Sequence, residues 1–382
     1  MPVQWAQPTE PSFLPLQQFS IDLYRMMSSD RTNVFISPFG VAMALGVALV
    51  GARGDTTAQI LQALGVQNQL ELLQEFDDIG RCLGRLPENH THLASKMFLN
   101  TSLELADAFK DAVQQDYFSQ LGIVNLQGDP ALAVREINSW LQKITGNKLA
   151  GMLLLKDIAP TTRMLMVNAT FLRCLWLEKF SELYTAPMPF MTDDGEVLVP
   201  TMCSRRVCNY CHVEHLSCRV LELPCMHDQL RLLILLPDRQ SDLTYLEDNL
   251  LAEDVPQFEK NFTRNPLEVT LPKFALEHLV FLSPYMRAVG ILDMFDKDRA
   301  DFTGMSDTKG LCVHDFVTKA RLEVTDEDPL PLSVNVTPLR IGDRCQLPTF
   351  EVNRPFMFII IESVRKRILC LGCLKNPASK QQ

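Results

Sequence analysis

"RMLMVNATFLRCLWLEKF", Arg163 to Phe180, is the stretch on which the fold turns. Met164 to Leu172 is a short run with almost no polar residue, which reads as a strand covered on both faces. Upstream of Thr162 the spacing is helical instead. Phe19, Leu23, Met26 and Met27 recur at helical intervals in "FLPLQQFSIDLYRMM", and "GVAMALGVALVGA" reads as a buried helix. "GDTTAQILQAL" opens with Asp55 and Thr56, good N-cap types, ahead of an apolar face. "LELADAFKDAVQQDY" and "ALAVREINSWLQKITGNKL" are amphipathic, the second ending near Gly146-Asn147.

Downstream come "SCRVLELPC", "LRLLILLPD", "LEVTLPKFAL", "FMFIIIES" and "RILCLGCL", short apolar runs bounded by Pro, Gly and Asp. The density of "LRLLILLPD" and "FMFIIIES" again predicts strands buried on both faces. Helices followed by strands, with no low-complexity linker and no internal repeat, define an α+β chain. The boundaries expected are an extension over 1–12, one domain over 13–377 and a tail over 378–382.

The 382 residues are long enough for a large core, and 47% apolar with 21% charged is ordinary for a globular chain. A net charge of −10 argues against nucleic acid or an anionic membrane as the main partner. The longest apolar run, Val41 to Ala52, is too short to span a bilayer. Two readings of the compartment stand. Eleven cysteines, an odd number, and no leader-like start favour reduced thiols and the cytosol. Sequons at Asn89, Asn100, Asn168, Asn261 and Asn335 favour a secreted chain, with Asn168 expected to be buried and the other four candidates for glycosylation.

Nine stretches in register resemble landmarks of the serpin family: "NVFISPFGVAMAL", "GARGDTTAQILQALG", "MLMVNATFLRCLWLEKF", "VLELPC", "LRLLILLPD", "VTLPKFALE", "VGILDMFDKDRADFTGMS", "TKARLEV" and "NRPFMFIIIES…ILCLGCLKNP". The likeness runs from about Phe13 to Pro377. It implies eight or nine helices around three β-sheets, with an exposed reactive-centre loop between "TKARLEV" and "NRPF". In inhibitory members a protease cuts that loop and is trapped as an acyl-enzyme while the loop inserts as a central strand, driven by a metastable native state. The resemblance places Ser37, Asn168 and Thr318 in the region that must part, and Trp176 at the point where insertion begins. Gly40 and Thr318 stand where many members carry serine and histidine, which predicts sparser hydrogen bonding there. A trypsin-like serine protease is the implied partner, as target or as cleaving enzyme, with a monomer expected and no catalytic residue, cofactor or metal.

The loop itself, "KARLEVTDEDPLPLSVNVTPLRIGDRC" from Lys319 to Cys345, starts as a strand and then loses that character. Inserting serpins resemble one another in small hinge residues, mostly Ala. Here the hinge reads Asp326, Glu327, Asp328, Pro329, Leu330 and Pro331. Proline has no N–H and is largely excluded from central strands, so the sequence predicts poor insertion. Counting back from "NRPF" by the usual family length puts the scissile bond at Arg344-Cys345; a longer loop puts it at Arg340-Ile341. Arginine at either site suits the acidic pocket of a trypsin-like protease.

Other patterns are weaker. Cys208-x-x-Cys211-His212 has the spacing of a haem attachment site, and Cys208, Cys211, His215 and Cys218 the residue types of a zinc site. The resemblance makes that stretch strand, where residues three apart face opposite ways, so Cys208 and Cys211 diverge. Cys370-x-x-Cys373 is disfavoured as a dithiol for the same reason. Cys345, on the loop, is the thiol expected to react or dimerise. Arg53-Gly54-Asp55 matches an adhesion tripeptide, but Asp55 reads better as a helix cap. The helix of Leu70 to Leu86 carries only two arginines among several acids, and no H-E-x-x-H, G-x-S-x-G or P-loop is present.

Overall fold

The computed structural model describes residues 14–28, 32–84, 86, 90–114, 119–225, 228–326 and 347–378. The first part is mainly helical: α1 (Leu14–Met27), β1 (Val34–Ile36), α2 (Pro38–Gly51), α3 (Gly54–Leu64), α4 (Gln69–Leu83), β2 (Thr91–Asn100), α5 (Asp107–Gln114), β3 (Ser119–Val124) and α6 (Pro130–Ile144). The rest is mainly strand: β4 (Met164–Arg173), β5 (Ala186–Thr192), β6 (Gly195–Val213), β7 (Cys218–Cys225) and β8 (Leu230–Pro237). Helices α7 (Leu243–Asn249) and α8 (Asp254–Asn261) precede β9 (Thr263–Pro272), β10 (Phe274–Phe281) and α9 (Ser283–Ala288). β11 (Asp315–Val324), β12 (Thr349–Glu351), β13 (Phe356–Glu362) and β14 (Ile368–Leu374) close the chain.

β4 is buried on both faces, and period-two alternation explains how. Met164, Met166 and Leu172 join the large core under α2, while Leu165, Val167 and Ala169 join a second core beneath α6 with Ile137 and Leu141. β8 and β13 are almost continuously buried as well, as their composition predicts. Helix α2 is buried at every position but Val50 and lies against β14, β2 and β4. Ser37 caps it, accepting from Gly40 N at 3.1 Å. Helix α6 gives way to left-handed backbone at Gly146 (φ 55°) and Asn147 (φ 63°), the predicted stop.

The strands form a five-stranded sheet, β10-β11-β4-β2-β3, and a nine-stranded network, β1-β14-β13-β8-β7-β6-β9-β12 with β5 on β6. The three sheets implied by the family likeness join as two because β6 runs for 19 residues. Its first half pairs with β5 and β9, and its second half with β9 and β7.

One local expectation is overturned. Asp55 does not cap α3: the N-cap is Arg53, with no side-chain cap bond, and Asp55 is exposed in the first turn. The helix start is held instead by Asp301, whose carbonyl accepts Arg53 N at 2.9 Å and whose N–H donates to Thr56 Oγ1 at 2.9 Å. Gly54, at φ 51°, makes the entry turn that a side chain would strain.

Candidate functional site

The site is the seam between β4 and β11, the central strands of the five-stranded sheet. They pair in parallel without a gap, from Asp315 opposite Leu165 to Glu323 opposite Arg173. Any further strand between them has to break this ladder.

Midway along the seam Asn168 faces Thr318. Thr318 Oγ1 donates to Asn168 Oδ1 at 3.0 Å and Thr170 Oγ1 to the same oxygen at 3.3 Å. Asn168 Nδ2 donates to Ser95 Oγ at 3.1 Å and to the Ala94 carbonyl at 3.2 Å. All four hydrogen-bonding positions of this fully buried amide are filled. Ser95 Oγ passes its proton on to the Gly40 carbonyl at 3.3 Å, and Ser37 Oγ donates to the Leu369 carbonyl at 2.8 Å. The sparse bonding expected from Gly40 and Thr318 is therefore not what forms. A Cβ on Gly40 would lie 2.7 Å from Asn168 Nδ2, so the glycine is the space into which the amide packs, and Ser95 on β2 supplies the missing hydroxyl.

At the far end the seam is held by charge. Cys174 N donates to the Glu323 carbonyl at 3.0 Å, and Trp176 Nε1 to the Thr325 carbonyl at 2.7 Å. The Trp176 ring stands edge-on to Phe180, which in turn lies under the Arg206 guanidinium at 4.0 Å. Arg173 and Arg321 grip Glu323 from both sides. Asp326 follows, its side chain 1% exposed, ion-paired with Lys273 and accepting from Thr185 Oγ1 at 2.6 Å. Burial pushes the Asp326 carboxyl up, but the Lys273 ammonium and the Thr185 hydroxyl pull it further down, so it sits below the usual carboxylate range. Past the loop, β12 rejoins β9 in parallel pairing, and the Asn353 carbonyl accepts Met191 N at 2.9 Å. Both ends of the loop are thus seated on the region of β5.

Ser37, Asn168 and Thr318 meet around Gly40, and Trp176 and Asp326 meet at the end of β11. The hinge from Glu327 to Pro331 and the candidate bonds at Arg340, Ile341, Arg344 and Cys345 lie outside the described residues. So do residues 1–12 and 379–382. Sequence reasoning missed Ser95, Lys273 and Thr185. Only three-dimensional pairing brings them to the seam, and no local spacing marks them.

The other candidates separate. Among the described residues no group of three His, Cys, Asp or Glu side chains could hold a metal ion. Cys211 lies beneath α8, 4.0 Å from the Phe258 carbonyl, while Cys208 sits on the Arg206 side of β6; burial raises each thiol to about 11. His212 and His215 are bonded to Asp238 at 2.7 Å and Asp254 at 2.8 Å. Cys370 and Cys373 are buried in β14 as free thiols. Asn100 is only 2% exposed and donates to Ser102 Oγ and Gln127 Oε1, so it is no glycan acceptor in the folded state. Asn261 is exposed, and Asn89 and Asn335 lie outside the described residues. No helix among the described residues is long and apolar enough to cross a membrane.

A fully paired parallel seam, locked midway by a buried amide cluster and closed at one end by ion pairs, is the centre of the candidate site. The profile of the family described as serpin (serine protease inhibitor) matches residues 15–377. The chain is 30% identical to Serpin B8 of Bos taurus over 365 residues, covering 94% of this chain and 97% of that protein. It is likewise 30% identical to the leukocyte elastase inhibitor of Bos taurus over 370 residues, 94% of this chain and 98% of that one. Among solved structures a tumour-suppressing serpin superposes with a TM-score of 0.86 at 24% identity, over 96% of this chain and 99% of that one. Uncleaved ovalbumin gives 0.84 at 22% identity, over 96% and 99%. The chain belongs to the serpin family, described as serine protease inhibitors, and relatives such as the leukocyte elastase inhibitor carry the name of an inhibitor and not of a catalyst.

Proposed function

We propose that this serpin offers its loop to trypsin-like serine proteases, is cut after Arg344 or Arg340, and inserts the cut strand slowly or not at all. It then works as a substrate, carrier or binding scaffold. In this reading Ser37, Asn168 and Thr318 form the shutter of the seam, and Trp176 its breach. The observation that carries the proposal is the pair Pro329 and Pro331, three and five residues after the anchored Asp326. Each proline removes one ladder donor, at about 1–3 kcal/mol where the partner carbonyl stays buried and unsatisfied. Insertion must outrun deacylation, and a barrier raised by about 3 kcal/mol slows it more than a hundredfold. Asp326 adds to the resistance, since lengthening the inserted strand from that end disturbs its pairing with Lys273.

A working inhibitor is the second reading, favoured by relatives that carry the name leukocyte elastase inhibitor. Equimolar trypsin followed by a denaturing gel separates the two. Clean cleavage, with a melting midpoint little changed in the cut protein, is expected. An SDS-stable complex at near-equimolar ratio would overturn the first reading. The double variant Pro329→Ala, Pro331→Ala restores two donors and is expected to shift part of the cleaved chain into such a complex.

A further inference from the structure

Three arginines converge beside β12. Arg219 is the second residue of β7, Arg239 follows the end of β8, and Arg354 lies between β12 and β13. With Asp238, Thr349 and Glu351 they line a cavity of about 280 Å³. Arg354 is committed to the protein: its Nε donates to the Pro237 carbonyl at 2.9 Å and its Nη1 to Asn353 Oδ1 at 3.1 Å. Arg219 is laid over the Phe350 ring, 5.0 Å from its centre, which fixes the guanidinium by its face and leaves its edges open. Among the described residues neither Arg219 nor Arg239 has a hydrogen-bond acceptor or an ion-pair partner.

The two carboxylates compensate the three arginines only in part. Asp238 is engaged by His212 Nε2 at 2.7 Å, and Glu351 reaches only Asn353 Nδ2 at 3.4 Å. Three like charges stay crowded, and Arg354 shows the consequence: burial lowers its pKa, Arg219 and Arg239 lower it further, and Asp238 and Glu351 offset only part of this. A bound anion would relieve that repulsion.

We propose that this cavity binds a single tetrahedral oxyanion, a phosphate or sulfate group, free or as the monoester of a small molecule. Guanidinium edges match such oxygens two at a time. The donors of Arg219, Arg239 and Thr349 outnumber the two oxygens of a carboxylate. A long polyanion is disfavoured because the chain as a whole carries −10. Thr349 and Glu351 are the ends of β12, so an anion held there also pins the strand on which the chain returns from residues 327–346.

The test is the melting midpoint of the full chain, titrated with inorganic phosphate, sulfate, phenyl phosphate and a size-graded series of sulfated oligosaccharides. Chloride holds the ionic strength constant, since exposed charges are screened. A saturable rise with phosphate or sulfate, absent with chloride, is expected. Arg219→Gln and Arg239→Gln should each weaken the apparent Kd about tenfold, the loss of one charge-assisted pair. Glu351→Gln removes a repelling carboxylate and should tighten it. Phenyl phosphate binding as well as the free ion assigns the site to monoesters; its exclusion assigns it to the free ion. No saturable shift, a shift that survives both arginine variants, or affinity climbing steeply with oligosaccharide length would each overturn the proposal. None of these readouts depends on whether the loop inserts after cleavage.

Discussion

The Asn168 cluster and the Asp326 anchor close the same seam by different means. The cluster is neutral: one amide, three hydroxyls and two carbonyls, buried except at the half-buried Ala94, with every position of the amide filled. The anchor is ionic: a buried carboxylate set against a lysine that is 25% exposed. A neutral buried network is indifferent to salt and pH but fails badly when one member is removed. A partly exposed ion pair is weaker and answers to protons. The seam therefore has a stiff middle and a conditional end, and it is the conditional end that adjoins the loop.

Removing the amide should have the largest effect. Asn168→Ala strips partners from Thr318, Thr170, Ser95 and the Ala94 carbonyl together and leaves a hole beside Gly40. A loss of about 3–5 kcal/mol is expected in urea unfolding, unchanged between pH 7 and pH 4. Gly40→Ala probes the same spot from the other side. Its Cβ at 2.7 Å displaces the amide and should remove about 1–3 kcal/mol. If Gly40→Ala proved neutral, the amide would not be the packed element it is taken for here.

How much of this the residues disclose follows from the range of the interactions. The covered strands β4, β8 and β13 show in their composition because burial on both faces leaves no polar alternation to hide them. Asn168 stands out as the one polar amide within such a run. Its partner Ser95 does not, since "THLASKMFLN" mixes polar and apolar residues without a clean period. Lys273 lies 53 positions from Asp326, and only the pairing of β10 with β11 brings its neighbourhood to the loop. Asp55 misled for the opposite reason. A good cap residue was present, but a tertiary contact from Asp301 already held the helix start.

The anchor should respond more moderately, and only where its charge exists. Asp326→Asn keeps the shape and removes the ion pair with Lys273, for an expected loss of about 1–2 kcal/mol at pH 7 after allowance for the solvent reaching the lysine. The sign with pH is fixed by the depressed folded-state pKa. The stabilisation is complete above the unfolded carboxylate value of about 3.9 and is lost as pH falls through the lower folded value. Wild type and Asp326→Asn should then converge as pH falls through the lowered folded-state value, whereas wild type and Asn168→Ala stay apart. A difference for Asp326→Asn that persisted unchanged in acid would assign its effect to packing.

Thr185→Val gives the smallest and finest cut. It preserves the side-chain outline and deletes only the hydroxyl that donates to Asp326 Oδ2 at 2.6 Å. With Lys273 still in place the charge remains compensated, so the expected loss is about 1 kcal/mol at pH 7. One ligand that favours the ionised form is gone, so the acid limb of the stability curve should move to higher pH. The shift separates the two halves of the seam cleanly: the same hydroxyl deletion at Thr318, which donates to a neutral amide, should reduce stability with no movement of that limb.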